Sequence, residues 1–199
     1  RRPPRSTLDR SSAASDVYKR QVEGLQEHIH TPSNNDRRTY IGDTPKRTNS
    51  SSNDVDCDIV FDVNVKCIVR CCKAIIPHMN KRRYGKIINI SSIAASKAST
   101  LQGVYAASKT AVNMLTSSLA LEWADYGIRV NSIAPGMYET SMTSRAWDDP
   151  KRKQVMLGRI PLSEPGDMDG LVALAIFLAS KESDYITGQT IYIDGGLSA

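Results

Sequence analysis

Tyr105 and Lys109 stand four positions apart in the short apolar stretch VYAASKTAV, which covers residues 104–112. On a helix this spacing places both side chains on one face, one turn apart. Tyrosine ordinarily loses its proton only near pH ~10, and an ammonium one turn away favours the phenolate. Such a pair could move a proton to or from a substrate hydroxyl at neutral pH. Two amphipathic side chains on a solvated helix face are the alternative, and the spacing alone does not separate these interpretations.

The elements that must position this pair can be predicted from hydrophobic periodicity. After about Asp56, apolar residues recur at near-helical intervals and predict a helix over 57–80. GKIINISS and IRVNSIAPG are apolar runs rich in branched residues, typical of buried parallel strands. A second helix is predicted over 104–125, DMDGLVALAIFLAS is a third helix, and GQTIYIDGG is a last strand. This alternation predicts an α/β fold with a parallel sheet and right-handed crossovers.

The spacing of further motifs resembles that of a known family. Ser92 ends the first predicted strand 13 residues before Tyr105, and Asn64 lies 28 residues before Ser92. With DVNVK, GKIINISS, YAASK, IRVNSIAPG, FLAS and YITGQTIYIDGG in this order, residues 56–199 resemble the classical short-chain dehydrogenase/reductase family. The resemblance implies a partial Rossmann-like, doubly wound parallel sheet, formed by the last three strands and their helices. It also implies NAD or NADP as cofactor and hydride transfer between a secondary alcohol and a ketone.

The same resemblance assigns roles to four candidate catalytic residues. Tyr105 would be the acid/base, and Lys109 would both tune it and hold the nicotinamide ribose. Ser92 would hydrogen-bond the reacting oxygen, and the 13-residue interval favours it over the competing Ser91. Asn64 would hold the helix geometry that seats a proton-relay water.

The loop PGMYET follows the second predicted strand. By resemblance it lies against the nicotinamide, so the expected cofactor contacts, beside Tyr105 and Lys109, are Pro135, Gly136, Tyr138 and Thr140. Asn131 and Asp194 are expected to be structural, as a buried amide between strands and a turn carboxylate.

An irregular region over 137–165 would form a substrate lid. Met142, Trp147 and Met156 could line an apolar pocket there or merely pack the lid down. The implied substrate is a polyol, a sugar acid or a 3-oxoacyl compound.

The sequence also departs from the family pattern. Relatives open with a strand and a turn of the form T-G-x-x-x-G-x-G, whose helix receives the cofactor pyrophosphate. None of the 12 glycines forms such a turn, and the N-N-A-G turn is missing too. Cys67 stands where relatives usually place glycine. The expectation is therefore a chain that lacks the first cofactor-binding half, with a non-catalytic fragment or partner subunit as the alternative function.

The basic character of the chain lies in its first 21 residues. The formal charge is +5, and residues 1–21 carry six Lys or Arg against two Asp. Within them, SSAASDVYKRQ resembles the translation of a transposase sequencing adaptor, and RRPPRST resembles a translated flow-cell adaptor. We exclude this segment from the fold reasoning. The remaining charge is near zero and gives no indication of a nucleic-acid partner.

Residues 22–55 are expected to be disordered, because 15 of the 25 residues from Thr31 to Val55 are Ser, Thr, Asn, Pro or Gly. A translated intron would look similar.

The cysteines match no zinc-site spacing, so no metal is expected, and reduced thiols indicate a cytoplasmic protein. No apolar run approaches the ~18 residues of a membrane span. The family resemblance implies a homo-oligomer formed through helices 57–80 and 104–125.

Overall fold

The computed structural model describes residues 54–99, 102–140, 143 and 147–199. Its helices are α1 (Asp54–Phe61), α2 (Cys67–Arg82), α3 (Gly103–Trp123), α4 (Pro150–Leu157) and α5 (Met168–Ala179). A π-helical segment, Asp62–Lys66, joins α1 to α2. The strands are β1 (Gly85–Ile90), β2 (Ile128–Pro135) and β3 (Thr190–Ile193). The expectations for residues 1–53 lie outside the described residues, and α1 begins two residues before the boundary predicted from the sequence.

The three strands form one parallel sheet in the order β1-β2-β3. Gly85 pairs with Ile128 at one end, and Ser132 pairs with Thr190 where β3 joins. Each strand is followed or preceded by a helix that crosses over the sheet, as parallel pairing requires. The predicted α/β fold, with a partial doubly wound sheet, is confirmed.

The hydrophobic core lies between β2 and the helices α2 and α3. Its buried members are Cys72, Leu119, Ala120, Ile128 and Val130. They come from the inner face of each helix and from alternate positions of the strand, which is the periodicity each element requires. This packing fixes α3 over the sheet, and α3 carries the candidate proton-transfer pair.

The opposite face of the sheet meets the turn that follows α5. Lys86 on β1 points to this side, and its side chain is 6% exposed. Its ammonium donates to Ser183 Oγ at 3.0 Å and lies 2.7 Å from a carboxylate oxygen of Asp184. Helices therefore cover both faces of the sheet, as in doubly wound folds.

One helix lies in the region predicted to be irregular. α4 begins after Asp149, whose carboxylate accepts from the backbone N–H of Lys151 at 2.9 Å and of Arg152 at 3.3 Å. Pro150 stands in the first turn, where its missing N–H costs nothing. The Asp-Pro pair was a usable helix-start signal, so the expectation of irregular chain over 137–165 is wrong for this stretch.

Candidate active site

Tyr105 and Lys109 lie on α3 facing the carboxyl end of β1. The Lys109 ammonium is 5.7 Å from the centroid of the Tyr105 ring. It also donates to the carbonyl oxygen of Ile90, the last residue of β1, at 3.0 Å. Burial lowers the pKa of Lys109 from its ordinary value, because desolvation penalises the ammonium. Helix and strand thus hold one cation beside one phenol at the sheet edge where open α/β folds bind ligands.

Two neighbouring serines end β1, and the structure separates them. Ser91 is 3% exposed, and its hydroxyl donates to the carbonyl oxygen of Lys109 at 3.2 Å. Ser92 is half-buried, and its hydroxyl accepts from the backbone N–H of Ala94 at 3.1 Å. The Ser91 hydroxyl is therefore occupied in joining β1 to α3, whereas the Ser92 hydroxyl keeps its proton for another acceptor.

Asn64 lies in the π-helical segment and reaches α3 through a serine. Its side-chain amide donates to Ser108 Oγ at 3.0 Å, and Ser108 Oγ donates to the carbonyl oxygen of Tyr105 at 2.7 Å. Ser108 is fully buried. The widened turn closes with the N–H of Cys67 donating to the carbonyl oxygen of Asp62, and single π turns are frequent at functional sites.

Ser108 was not among the residues predicted from the sequence. In the sequence, Ser108 could be recognised only as a small residue on the helix, directly before Lys109 and three residues after Tyr105. Its partner Asn64 is 44 residues away. Only the packing of α3 against the π-helical segment shows that this hydroxyl links Asn64 to α3, the helix that carries Tyr105 and Lys109.

The loop after β2 begins with Pro135 and Gly136 and lies against the turn after β3. A Cβ on Gly136 would lie 2.6 Å from the Cα of Asp194, so only glycine fits this approach. The Gly136 N–H donates to the carbonyl oxygen of Ile193 at 3.0 Å. The loop therefore leaves the sheet along a path that β3 fixes.

Tyr138 is buried, at 7% exposed. Its hydroxyl donates to the carbonyl oxygen of Ile193 at 3.2 Å, and its ring fills the space beside Gly166. Burial raises the pKa of Tyr138, and the carboxylates of Asp167 and Asp194 raise it further. The Tyr138 side chain is therefore packed against the turn after β3, at a position where the resemblance implies a cofactor contact.

Thr140 and Thr143 tie the following turn together. The Thr143 hydroxyl accepts from the N–H of Thr140 at 2.9 Å and donates to the carbonyl oxygen of Tyr138 at 2.7 Å. The two threonine hydroxyls are 3.1 Å apart. Thr140 is half-buried at the end of this loop, where the family resemblance implies a cofactor contact.

Three residues, Met142, Trp147 and Met156, were expected either to line an apolar pocket or to pack the lid down. Trp147 is 4% exposed, and its indole N–H donates to the carbonyl oxygen of Tyr138 at 3.1 Å. This geometry favours the packing alternative for Trp147. Met156 is half-buried on α4. Met142 lies outside the described residues.

The two residues expected to be structural are confirmed in that role. The Asn131 side chain donates to the carbonyl oxygen of Ile186 at 2.8 Å and accepts from the N–H of Gln189 at 3.1 Å. The Asp194 carboxylate accepts from the N–H of Gly196 at 3.0 Å and of Ser198 at 2.9 Å.

A cleft of about 300 Å³ lies beside the loop after β2 and is lined in part by Tyr138, Asp167 and Asp194. None of the four candidate catalytic residues lines it, so this cleft is separate from the proton-transfer pair. Across the described ranges, no three or more His, Cys, Asp or Glu side chains are grouped to hold a metal ion. In the same ranges, no helix combines the length and apolar character that a membrane span needs.

The chain is similar to known proteins over most of its length. A family model described as enoyl-(acyl carrier protein) reductase matches residues 40–198. The 3-oxoacyl-(acyl-carrier-protein) reductase FabG of Thermotoga maritima is 42% identical over 142 residues, which are 71% of this chain and 57% of that protein. The 2-dehydro-3-deoxy-D-gluconate 5-dehydrogenase of Bacillus subtilis is 44% identical over 137 residues, 69% of this chain and 54% of that protein.

One solved structure has a fold similar to that of this chain. The gluconate 5-dehydrogenase from Burkholderia cenocepacia, in complex with NADP and tartrate, superposes with a TM-score of 0.74 at 37% identity. The match covers 79% of this chain and 62% of that one. The chain thus spans little more than half the length of the curated relatives described above. On the family match and these relatives, the chain belongs to the short-chain dehydrogenase/reductase family.

Proposed function

We propose that this chain carries the proton-transfer half of an NAD(P)-dependent oxidoreductase that interconverts a secondary alcohol and a ketone. The observation that carries the proposal is the arrangement on α3. Among the described residues the Tyr105 hydroxyl has no hydrogen-bond partner, while Lys109 is held beside its ring by the carbonyl of Ile90. A phenol left unpaired next to a fixed cation is what general acid–base catalysis on a substrate oxygen requires.

In the alcohol-to-ketone direction, the phenolate oxygen of Tyr105 accepts the hydroxyl proton of the substrate. A nicotinamide held beside Lys109 and the loop after β2 would supply the hydride acceptor for the carbinol carbon. The Ser92 hydroxyl donates to the reacting oxygen and holds it at the end of β1. The Lys109 ammonium keeps a positive charge beside the Tyr105 ring, and Asn64 keeps the helix turn beside α3 in place through Ser108. In the reverse direction Tyr105 returns the proton.

The residues present fit the nicotinamide side of such a cofactor. Lys109 would donate to its ribose, and the loop Pro135, Gly136, Tyr138 and Thr140 would lie along the ring. The tight approach of Gly136 to Asp194 supports a loop path that is fixed before a ligand binds. The 12 glycines offer no pyrophosphate-binding turn, so we propose that the adenine and pyrophosphate side comes from sequence beyond the matched region. NAD and NADP remain equal candidates.

For the substrate we propose a polyol, a sugar acid or a 3-oxoacyl compound. The relatives' names include a 3-oxoacyl-(acyl-carrier-protein) reductase and a 2-dehydro-3-deoxy-D-gluconate 5-dehydrogenase. For all three substrate classes the shared reacting group would be a ketone or a secondary alcohol. The catalytic residues named above act on that shared group. They support the reaction and leave all three substrate classes open.

We further propose that copies of the chain associate through helices 57–80 and 104–125. On α3, Met114 is 72% and Leu121 is 83% exposed, and these side chains are seven positions apart on one face. Apolar side chains at such a spacing suit a helix–helix contact.

The four cysteines are free thiols, which supports a reducing, cytoplasmic location.

The experiment compares the 199-residue chain with a longer polypeptide that includes the in-frame transcript sequence upstream of Asp56. Both are titrated with NADH and NADPH by calorimetry and then assayed with ketoacyl, ketosugar-acid and polyol substrates. We expect the 199-residue chain to bind neither cofactor in the micromolar range, because its sequence offers no Gly-rich turn that leads into a helix and receives the pyrophosphate. We expect the longer polypeptide to bind NADH or NADPH and to convert at least one of these substrates.

Two outcomes contradict the proposal. Micromolar cofactor affinity of the 199-residue chain, with a melting transition that the cofactor raises, would show that these 199 residues suffice for binding. A longer polypeptide that folds and binds cofactor yet is inactive on every substrate would favour the alternative, a non-catalytic partner subunit. An upstream sequence without a Gly-rich turn would favour the same alternative.

A further inference from the structure

The turn after β3, residues 194–199, holds both ends of the long connection between β2 and α5. At the start of that connection, a Cβ on Gly136 would lie 2.6 Å from the Cα of Asp194, so the two backbones are in close contact. Near its end, the N–H of Leu162 donates to the carbonyl oxygen of Gly195 at 3.2 Å. The loop beside the proposed nicotinamide position is therefore fixed by this turn.

A lysine in the loop after β1 reaches the same turn. The Lys97 ammonium donates to the carbonyl oxygen of Leu197 at 2.5 Å, and the two residues are 100 positions apart in the sequence. The acceptor is firmly held, because Leu197 is 4% exposed and its N–H donates to the carbonyl oxygen of Asp194 at 3.2 Å. A hydrogen bond with an ionised donor is stronger than one between neutral groups. Lys97 thus attaches the loop after β1 to the turn after β3.

The backbone of Lys97 is bonded in turn to the residue next to Ser92. The N–H groups of Ser96 and Lys97 donate to the carbonyl oxygen of Ile93 at 3.1 and 3.0 Å. The N–H of Ala95 donates to the carbonyl oxygen of Ser92 at 3.0 Å. These bonds make the segment one short turn, so the position of the lysine is coupled to that of the serine.

We propose that Lys97 is a positioning residue for Ser92. Its bond to Leu197 holds the loop after β1 against the turn after β3, which also holds the loop after β2. The Ser92 hydroxyl and the proposed nicotinamide position are thereby kept in one relative arrangement. The inference rests on the proposed oxidoreductase function, in which Ser92 donates to the reacting oxygen. Lys97 acts through main-chain atoms and needs no contact with substrate or cofactor.

A second bond keeps the loop after β1 attached when Lys97 is changed. The Thr110 hydroxyl, on α3, donates to the carbonyl oxygen of Ala95 at 3.0 Å. It secures the middle of the loop, whereas Lys97 secures the end. Because Lys97 is itself exposed, its replacement creates no cavity. We therefore expect Lys97 variants to fold and to differ in the mobility of this loop.

The first test measures hydrogen–deuterium exchange in the 199-residue chain, which does not depend on activity. In Lys97→Met the amides of residues 95–97 should exchange at least ~5-fold faster, because their hydrogen bonds open with the loop. Lys97→Arg keeps a long, charged donor and should stay within about twofold of the unsubstituted chain. The matched control is Lys181→Met, which removes an exposed lysine from the turn after α5 and should leave these amides unchanged.

The second test uses the longer polypeptide and separates turnover from binding. Lys97→Met should lower kcat at least ~10-fold, because a misplaced Ser92 hydroxyl meets the reacting oxygen less often. The KM for NADH or NADPH should stay within about twofold, since the substitution removes no proposed cofactor contact. Lys97→Arg should restore most of kcat, and Lys181→Met should match the unsubstituted polypeptide.

Three outcomes would overturn the proposal. These are unchanged exchange in Lys97→Met, unchanged kcat of that variant in an active polypeptide, and a rise in substrate KM alone, which would make Lys97 a substrate contact. An unsubstituted longer polypeptide that is inactive would contradict the proposed function instead. The exchange measurement would still decide whether the Lys97 bond holds the loop.

Discussion

Replacing Ser108 by alanine tests the link between the π-helical segment and α3. The substitution removes the only acceptor that the described residues provide for the Asn64 side-chain amide, at 3.0 Å. It also removes the donor to the carbonyl oxygen of Tyr105 at 2.7 Å. That carbonyl keeps its helical N–H partner, so the stranded Asn64 amide dominates the effect.

The expected cost follows from these contacts. Asn64 is half-buried, so leaving its amide without a partner costs about 1.5 kcal/mol of the roughly 1–3 kcal/mol that a fully buried donor would cost. The better helix propensity of alanine returns roughly 0.5 kcal/mol. We expect Ser108→Ala to lower the free energy of unfolding by about 1 kcal/mol. With an m-value of about 2 kcal/mol per molar urea, the unfolding midpoint falls by roughly 0.5 M. Circular dichroism during urea titration measures this shift.

The chain offers a matched control. Ser96 also donates its hydroxyl to the carbonyl three residues earlier, that of Ile93 at 3.2 Å, but it is exposed. Water replaces that bond, so Ser96→Ala should change the free energy of unfolding by less than about 0.5 kcal/mol. In a double-mutant cycle, Asn64→Ala and Ser108→Ala together should cost about 1 kcal/mol less than the sum of the single changes. Equal midpoints for Ser108→Ala and Ser96→Ala, or fully additive costs in the cycle, would refute the reasoning.

Four further outcomes are expected. In the longer, active polypeptide Tyr105→Phe should lower turnover at least ~10²-fold, and near-normal steady-state turnover would remove Tyr105 from its proposed role. Burial raises the pKa of the Cys72 thiol to about 11, so its alkylation, followed by peptide mass spectrometry, should be at least ~10²-fold slower than in urea; equal rates would contradict this. Gly136→Ala should cost about 1–3 kcal/mol in urea unfolding, because its Cβ would lie 2.6 Å from the turn after β3; an unmoved midpoint would show that the turn yields freely. A hydrogen bond from the buried Lys86 lowers the pKa of Asp184. The Asp184 carboxylate therefore stabilises the fold above pH ~4, and that stability is lost as the pH falls further. The Asp184→Asn variant should lose less stability on acidification than the unsubstituted chain, and identical acid unfolding profiles would exclude this contribution.

Much of the fold follows from local pattern. The parallel strands, α3 and the one-turn spacing of Tyr105 and Lys109 depend on hydrophobic period and residue type, which act over a few neighbouring residues. The helix α4 was missed although Asp149 and Pro150 signalled its start, because the region was interpreted by its mixed composition. The π turn around Asn64 has no comparable local signal.

The sequence by itself determined which side chains share a face: Tyr105 with Lys109 on one helix, and Ser92 at the end of the strand. Only the tertiary structure decided what those faces meet. It directs the Ser91 hydroxyl to the backbone of α3, joins Asn64 to Ser108 across 44 residues, and turns the Tyr138 ring into the core. The physical reason is range: spacing along one element is fixed by its own geometry, whereas partners between elements depend on how separate helices and strands pack together.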